Sequence, residues 1–309
     1  MPELFAEQIK IKAEELGFSK VGIACAEPLT IERKHLLEWL NLGYNASMEW
    51  MARDIEKRID PHKVVPNAKS VICVALNYYS SFQPSSEPTI GKISRYACGS
   101  DYHIVMMKRM ERLFSFINSV IPNINGKIYV DTGSVMEKAW AVRAGIGWMG
   151  KHSNIITREY GSWVFLGEII IDVELDYDKP VLDRCGTCTA CIDACPTQAL
   201  VQPYVLDADK CISYLTIEHR GDLPNELTPK FQNWIYGCDI CQEVCPWNRF
   251  QRETNEPEFQ PREENTALQL SELANITQEE FSRRFRNSAV KRTKRIGLAR
   301  NANSQLTNH

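Results

Sequence analysis

The chain has 309 residues, of which 44% are hydrophobic and 24% charged, with 36 Lys and Arg against 39 Asp and Glu for a net charge of −3. This composition is typical of a globular protein, and the charge balance excludes a wholly basic nucleic-acid coat. The sequence has no run of about 18 apolar residues and opens on the acidic MPELFAEQ, which predicts a cytoplasmic protein with no membrane segment or export signal.

Helical and strand patterns alternate over the first 180 residues. Apolar spacing predicts helices over residues 3–16, 31–42, 106–117 and 135–143. β-branched and apolar runs predict strands over residues 20–24, 71–79, 127–131 and 163–171. Residues 80–91 are rich in Ser, Pro and Glu, which is typical of a surface loop. The alternation predicts an α/β (α+β) domain and leaves the sheet order open.

The rest of the chain divides at its cysteines. Residues 181–250 hold eight of the 11 cysteines and only short helical pieces, so this segment is expected to need bound metal to fold. Residues 251–309 return to a helical pattern. The predicted organisation is therefore a catalytic domain over 1–180, a two-cluster domain over 181–250 and a basic helical segment over 251–309.

Two cysteine motifs carry the strongest chemical signal. The run Cys185-x2-Cys188-x2-Cys191-x3-Cys195-Pro196 is that of bacterial ferredoxins, in which the fourth thiolate reaches a second iron–sulfur cluster. The second motif is Cys238-x2-Cys241-x3-Cys245-Pro246, with Cys211 between the two.

The crossover logic assigns these eight thiolates to two [4Fe–4S] clusters. One set of four is Cys185, Cys188, Cys191 and Cys245. The other set is Cys195, Cys211, Cys238 and Cys241. A pair of zinc sites is the alternative, but zinc does not require a run that ends twice in Cys-Pro. Cys25 and Cys73 lie in apolar strands and are expected to be inert core residues.

Asp131 is the carboxylate singled out by its position. It closes the predicted strand KIYVD and opens a loop, where a partly buried environment that raises its pKa suits a general acid. An N-cap of the following helix explains it equally well. The cluster Asp101-Tyr102-His103 is either catalytic or a helix start. The run Gly145-x-Gly147-x-x-Gly150 follows a helix pattern and therefore predicts a turn, not a dinucleotide-binding loop.

The segment from Arg283 to Arg300 contains eight Lys and Arg residues and no acid. In a net-acidic protein this asymmetry favours phosphate contacts with nucleic acid. A solvated helix face is the alternative interpretation.

Several blocks together resemble the epoxyqueuosine reductase family, over roughly residues 1–300. They are EKRIDPHKVVPNAKSVICVALNY, SRYACGSDYH, YVDTGSVMEKAWAVRAGIGWMGKHSNII, CISYLTIEHRG and NWIYGCDICQEVCPWN. The resemblance implies an enzyme that uses cobalamin and two [4Fe–4S] clusters to reduce epoxyqueuosine to queuosine at the tRNA wobble position. Electrons passing through the clusters would reduce cobalt, which would attack an epoxide carbon while a carboxylic acid protonates the leaving oxygen.

The resemblance also implies roles for single residues. Asp131 matches the proton donor of the family and lies beside the cofactor. The remaining cobalamin contacts implied are Arg58, Cys98, Asn154, Ile155, Ser213 and Asp239. The residues implied near tRNA are His219 and Arg220, joined by Lys291, Arg292, Lys294 and Arg295 of the basic run. His152 is expected to be a loop or corrin-side residue, not a cobalt ligand.

Longer relatives carry a C-terminal helical-repeat domain that helps to grip tRNA, whereas this sequence stops at His309. Either a naturally short member or a truncated chain fits this difference. In both cases we expect weaker tRNA binding with a steep salt dependence.

Three other functions were weighed. A reductive dehalogenase of small organohalides is disfavoured by the missing twin-arginine leader and by the basic run. A non-catalytic iron–sulfur electron carrier does not explain the α/β domain, and a nucleic-acid-binding redox sensor would not need an acid at Asp131. The expected state is a monomer, with an unidentified electron donor.

Overall fold

The computed structural model describes residues 2–307. Its α-helices, α1 to α11, are Pro2–Glu15, Thr30–Asn41, Ile55–Ile59, Tyr102–Val120, Glu137–Arg143, Ala190–Asp193, Ile212–Ile217, Ile240–Glu243, Leu270–Ala274, Gln278–Arg284 and Lys294–Leu306. Its strands, β1 to β11, are Lys20–Cys25, Ser70–Asn77, Ile90–Ile93, Gly126–Tyr129, Trp148–Met149, Ile155–Ile156, Val164–Ile171, Leu200–Gln202, Val205–Leu206, Trp234–Tyr236 and Leu268–Gln269. Across residues 2–307, no helix combines the length and the apolar composition that crossing a membrane requires.

A four-stranded sheet of order β1-β2-β7-β4 forms the centre of the N-terminal half. Every neighbouring pair in it is antiparallel. Apolar side chains of α1 and α4 cover one face, and α5, with Trp140, covers the other. Because β2 is covered on both faces, all eight of its residues are buried, as its unbroken apolar run predicts.

The predicted elements of this half are confirmed within a few residues, with one consequential difference. β4 ends at Tyr129, so Asp131 lies two residues beyond the strand, in a left-handed backbone conformation with φ +57°. The sheet is also antiparallel. The rule that sites gather at the carboxyl ends of parallel strands therefore does not explain the position of Asp131.

A second, three-stranded sheet joins distant parts of the chain. β3 pairs in parallel with β10 and antiparallel with β11, so each of the three predicted regions contributes one strand. Side chains of α9 and α11 pack over this sheet in one apolar cluster. The overall fold class is confirmed, and the antiparallel sheets make α+β the better of its two terms. The domain boundaries stay a prediction.

Candidate active site and cluster sites

The structure brings the eight motif cysteines together in the two sets that the sequence predicts. Cys185, Cys188, Cys191 and Cys245 line one cavity of about 100 Å³. Cys195, Cys211, Cys238 and Cys241 line part of a larger cavity of about 340 Å³. Across residues 2–307, no three His, Cys, Asp or Glu side chains converge as the ligands of a single metal ion do. Each cavity, with four thiols in its wall, offers the ligands of one [4Fe–4S] cluster.

A buried lysine holds the loop that lines the smaller cavity. Lys151 is only 9% exposed, and its Nζ donates hydrogen bonds to the carbonyl oxygens of Gly186 at 2.6 Å and Cys188 at 2.9 Å. These bonds hold the Cys185–Cys188 loop in place. Burial raises the pKa of the Cys191 thiol to about 11, so ligation of a cluster there must displace protons.

The larger cavity joins the second set of thiols to the N-terminal domain. Its wall includes Asn154, Ile155 and Ser213, three of the predicted cobalamin contacts. Two buried polar atoms of residues that line it, His152 Nε2 and Ser153 Oγ, have no hydrogen-bond partner in the structure. Burial lowers the pKa of His152 to about 4, so its imidazole is neutral. Unpartnered polar atoms beside apolar walls fit a large cofactor that carries amide groups.

Four predicted cobalamin contacts are not among the residues that line this cavity: Arg58, Cys98, Asp239 and Asp131. Arg58 donates to the carbonyl oxygens of Trp50 at 2.9 Å and Arg53 at 3.2 Å. Cys98 is 1% exposed, and its Sγ lies 3.6 Å from the carbonyl oxygen of Ser94.

Asp239 is the third of these residues, and it is fully buried. Its carboxylate accepts hydrogen bonds from the Ser94 hydroxyl and, at 2.8 Å, from the Arg95 amide. Burial raises the pKa of Asp239 to about 6 in spite of these bonds. Asp239 thus positions Ser94, which does line the cavity. Contact of Arg58, Cys98 or Asp239 with a cofactor stays a prediction.

Asp131 is held by the first turn of α4. Its Oδ2 accepts a hydrogen bond from the Tyr102 hydroxyl at 2.6 Å and lies 3.4 Å from His103 Nε2. Its backbone amide donates to the Glu137 carboxylate. The N-cap interpretation is wrong, because α5 begins at Glu137 with Met136 as its N-cap. The side chain of Asp131 is 55% exposed, so an incoming substrate can reach it.

The protonation of this group differs from the expectation. Burial alone would raise the pKa of Asp131, but the hydrogen bonds from His103 and Tyr102 outweigh it and hold that pKa below its ordinary value. Burial would lower the pKa of His103, but hydrogen bonds to Asp101 and Asp131 raise it to about 9. The predicted raised pKa of Asp131 is therefore wrong. Near neutral pH the proton resides on His103, between two carboxylates.

The helix-start interpretation of the cluster Asp101-Tyr102-His103 is confirmed, and its catalytic role stays a prediction. Asp101 is the N-cap of α4 and accepts a hydrogen bond from the His103 amide. Its Oδ1 also lies 2.7 Å from His103 Nδ1, which orients the ring toward Asp131. The tertiary structure therefore makes these residues partners of Asp131.

Two acidic residues near Asp131 were missed by sequence reasoning. Glu137 anchors the Asp131 loop, and burial raises its pKa to about 8. Glu168 is fully buried on β7, and neither of its carboxyl oxygens has a hydrogen-bond partner. Burial raises the pKa of Glu168 well above its ordinary value. The available signal was a single acid within the apolar strand VFLGEIII.

Two arginines, one in the basic run and one in the segment beside it, form hydrogen bonds within the protein. Arg220 donates to the carbonyl oxygens of Ile217 and Arg292, both at 2.9 Å. Arg292 holds Glu218 through two hydrogen bonds of 2.8 and 2.9 Å. These arginines tie the segment after α7 to the C-terminal helices.

The other predicted tRNA contacts differ in whether their side chains are already bonded to other groups of the protein. His219 Nε2 lies 2.8 Å from the carbonyl oxygen of Asp222, and Arg295 donates to that of Ile276 at 3.5 Å. Lys291 and Lys294 are exposed, and neither forms an ion pair with any acid of residues 2–307. These two lysines are therefore free charges of the run, as is the exposed Arg286.

Comparison with known proteins agrees with this geometry. Residues 58–132 match the family described as "Epoxyqueuosine reductase QueG, DUF1730", and residues 184–248 match a 4Fe-4S double cluster binding domain. The chain is 48% identical to the epoxyqueuosine reductase of Cellulophaga algicola over 299 residues, covering 97% of each chain. It is 42% identical to that of Escherichia coli K12 over 307 residues, covering 98% of this chain and 81% of the relative.

Solved structures give the same result. An epoxyqueuosine reductase with an epoxyqueuosine-modified stem loop of tRNA-Tyr superposes with a TM-score of 0.93 at 38% identity, covering 98% of this chain and 80% of that one. The Bacillus subtilis epoxyqueuosine reductase superposes with a TM-score of 0.92 at 37% identity, covering 98% and 81%, and has its catalytic aspartate loop swung out of the active site. This chain therefore belongs to the epoxyqueuosine reductase family of oxidoreductases.

Proposed function

We propose that this protein reduces the epoxide of epoxyqueuosine in tRNA to give queuosine, with Asp131 as the proton donor. The observation that carries the proposal is the hydrogen-bonded group of Tyr102, His103 and Asp131, together with a cavity that is lined in part by four thiols. The relative solved with an epoxyqueuosine-modified tRNA stem loop supports the choice of substrate.

The residues around the larger cavity fit the cofactors of this family. Asn154, Ser213 and the unpartnered His152 Nε2 offer hydrogen bonds to the amide groups of cobalamin, and Ile155 offers an apolar surface. Bound cobalamin, once reduced, supplies the nucleophile that opens the epoxide. The thiols of Cys195, Cys211, Cys238 and Cys241 place the second cluster against the same space. Electrons thus have a short path to the cofactor.

Removing an epoxide oxygen as water takes two electrons and two protons. Near neutral pH the proton resides on His103, 3.4 Å from Asp131, so His103 passes it to Asp131, which delivers it to the oxygen, and solvent reprotonates His103 to supply the second proton. Tyr102 holds the carboxylate in position through its 2.6 Å hydrogen bond. Glu137 fixes the backbone of the same loop.

The tRNA is proposed to lie against the surface formed by His219 and the basic run. Lys291 and Lys294 contact phosphates, while Arg220, Arg292 and Arg295 position the segment through their internal hydrogen bonds. The enzyme is proposed to act as a monomer, which leaves the site open to an approaching tRNA. A substrate that is tRNA supports a cytoplasmic location.

Anaerobic turnover of epoxyqueuosine-containing tRNA tests the proposal. Purified protein with reconstituted clusters and dithionite is expected to form queuosine with cobalamin present and none with cobalamin omitted. The same result with and without the cofactor would contradict the proposed chemistry. Intact clusters with no bound cobalamin and no turnover would instead favour the electron-carrier alternative.

A further inference from the structure

The two cluster sites differ in their access to solvent. Cys188, in the first set, is the one exposed thiol among the eight motif cysteines. The second set instead lines the inner cavity proposed for the cofactor. This inference therefore rests on the proposed function, in which electrons enter at the first cluster and leave from the second.

The surface around the first set of thiols is unusually apolar. Of the 14 large apolar side chains exposed within residues 2–307, six lie between residues 181 and 250. Leu182 is 80% exposed, and Tyr204 and Phe250 are each 43% exposed. Exposed apolar side chains at such density mark an interaction surface.

Contacts within the structure join these side chains into one rim. The Tyr204 hydroxyl bonds to Asp183, next to Leu182 in the chain. The Trp247 indole donates to the carbonyl oxygen of Arg184 at 3.2 Å, and its ring lies 5.7 Å from that of Phe250. Arg184 and Trp247 also line the first cluster cavity. The rim and the cluster site are thus continuous.

Positive charge exceeds negative charge on this rim. Arg184 and Arg249 are exposed, and neither forms an ion pair with an acid of residues 2–307. Of the nearby acids, Glu243 pairs with Arg95 at 3.5 Å, whereas Asp183 accepts a hydrogen bond from the neutral Tyr204 hydroxyl and keeps its charge. An acidic partner would meet unneutralised guanidinium groups here.

We propose that this rim, formed by Leu182, Arg184, Tyr204, Trp247, Arg249 and Phe250, docks a small acidic protein that carries single electrons. The carrier is oxidised by one electron, and the cluster held by Cys185, Cys188, Cys191 and Cys245 is reduced by one, with no bond made or broken. Electron-transfer complexes bury less than about 1,200 Å², and charge steering sets their association rate. An exposed rim of six side chains that includes two free arginines suits that kind of encounter.

The experiment uses flavodoxin as the probe and the protein with both clusters reconstituted. The charge-reversal variant Arg184→Glu/Arg249→Glu is expected to bind flavodoxin at least tenfold more weakly at low ionic strength, measured by isothermal titration calorimetry. Reduction of the clusters by flavodoxin hydroquinone, followed by their visible absorbance, should slow by a similar factor. Reduction by dithionite should keep the rate of the unmodified protein in the single variant Arg249→Glu, whose side chain does not line the cluster cavity.

Two further variants make the result specific. Lys108→Glu/Arg112→Glu reverses two exposed charges on α4 and should change the affinity by less than twofold. Leu182→Ser should weaken binding at both low and high salt, because it removes apolar contact and not charge.

Flavodoxin binding to Arg184→Glu/Arg249→Glu within twofold of the unmodified protein would overturn the proposal. So would an equal slowing with dithionite, since that would mean a damaged cluster. Dithionite-driven queuosine formation tests the proposed function separately, because it needs no carrier protein.

Discussion

At the scale of single residues, Asp131 and His103 act as one unit. The two side chains lie 3.4 Å apart, and the Tyr102 hydroxyl fixes the carboxylate from another side. An amide at position 131 keeps these contacts but cannot release a proton. The site therefore allows the proton-transfer role of Asp131 to be separated from its role in holding the loop.

The substitution Asp131→Asn is expected to lower the rate of queuosine formation by about 10²- to 10⁴-fold, the usual contribution of a positioned acid. The visible absorbance of the clusters and the affinity for cobalamin should not change. Single-turnover assays with epoxyqueuosine-containing tRNA measure the rate, and Asp176→Asn, at an exposed site on the same domain, is the matched control. A rate within threefold of the unmodified protein would remove Asp131 from the proton path.

His103 should stabilise the fold in a pH-dependent way. Its pKa is raised from the ordinary 6.5 to about 9, so the stabilisation is complete below pH 6.5 and is lost as pH rises through 9. Because the side chain is about one-third exposed, solvent screening reduces the effect to the order of 1 kcal/mol. Thermal unfolding should show His103→Asn to be a few degrees less stable at pH 6 and equal at pH 9.5. An equal deficit at both pH values would contradict a role for the charge.

At the scale of elements, β7 contains a buried carboxyl group that opposes folding. Its Glu168 faces Cys73 of β2 and Tyr129 of β4 across the sheet, fully buried and without a hydrogen-bond partner. A carboxyl group in such a place binds a proton more tightly in the folded state than in the unfolded state. Folding is therefore opposed increasingly as pH rises above the ordinary pKa of glutamate.

The substitution Glu168→Gln is neutral and similar in shape, so it should relieve this cost. Its gain in the free energy of unfolding should be small near pH 5 and grow by up to about 1.4 kcal/mol per pH unit toward pH 8. Urea denaturation at the two pH values measures it, with Glu14→Gln on the exposed face of α1 as the control. A gain that does not depend on pH would mean that Glu168 is already ionised.

At the scale of the whole molecule, the C-terminal segment connects the chain after α7 with the residues that hold Asp131. The carbonyl oxygen of Asn287 accepts a hydrogen bond from the Asp101 amide at 2.8 Å, and Asp101 in turn orients His103. Arg220 and Arg292 tie the same segment to the chain after α7. The proposed tRNA surface is thus built directly onto the support of the proton donor.

The free lysines of this surface are expected to set the salt dependence of tRNA binding. Lys291→Ala/Lys294→Ala should make the slope of log K against log salt concentration shallower by about 1.4 to 1.8, since each phosphate contact contributes about 0.7 to 0.9. Filter binding between about 50 and 200 mM salt measures the slope. Lys34→Ala/Lys108→Ala is the control, and an equal change in that variant would argue against a specific surface.

The sequence by itself determined the elements with regular apolar periods and the two cysteine motifs. α1, α4 and β2 appear where their spacing predicts, because burial of one face or of both imposes a local repeat. The cysteine spacing likewise predicts which thiols share a cavity. The short loops of a ferredoxin motif bring its first three thiolates to one cluster and its fourth to the other. The sequence also singled out Asp131, whose role stays a prediction, although the strand argument used for it does not hold.

Only the tertiary structure decided what surrounds Asp131. Tyr102 and His103 are 29 and 28 positions away along the chain, and packing of α4 against the sheet brings them to the carboxylate. The same packing places the proton on His103 and lowers the pKa of Asp131, the reverse of the expectation from burial alone. A pKa depends on the groups within a few ångströms in space. Distance along the chain does not reveal those groups.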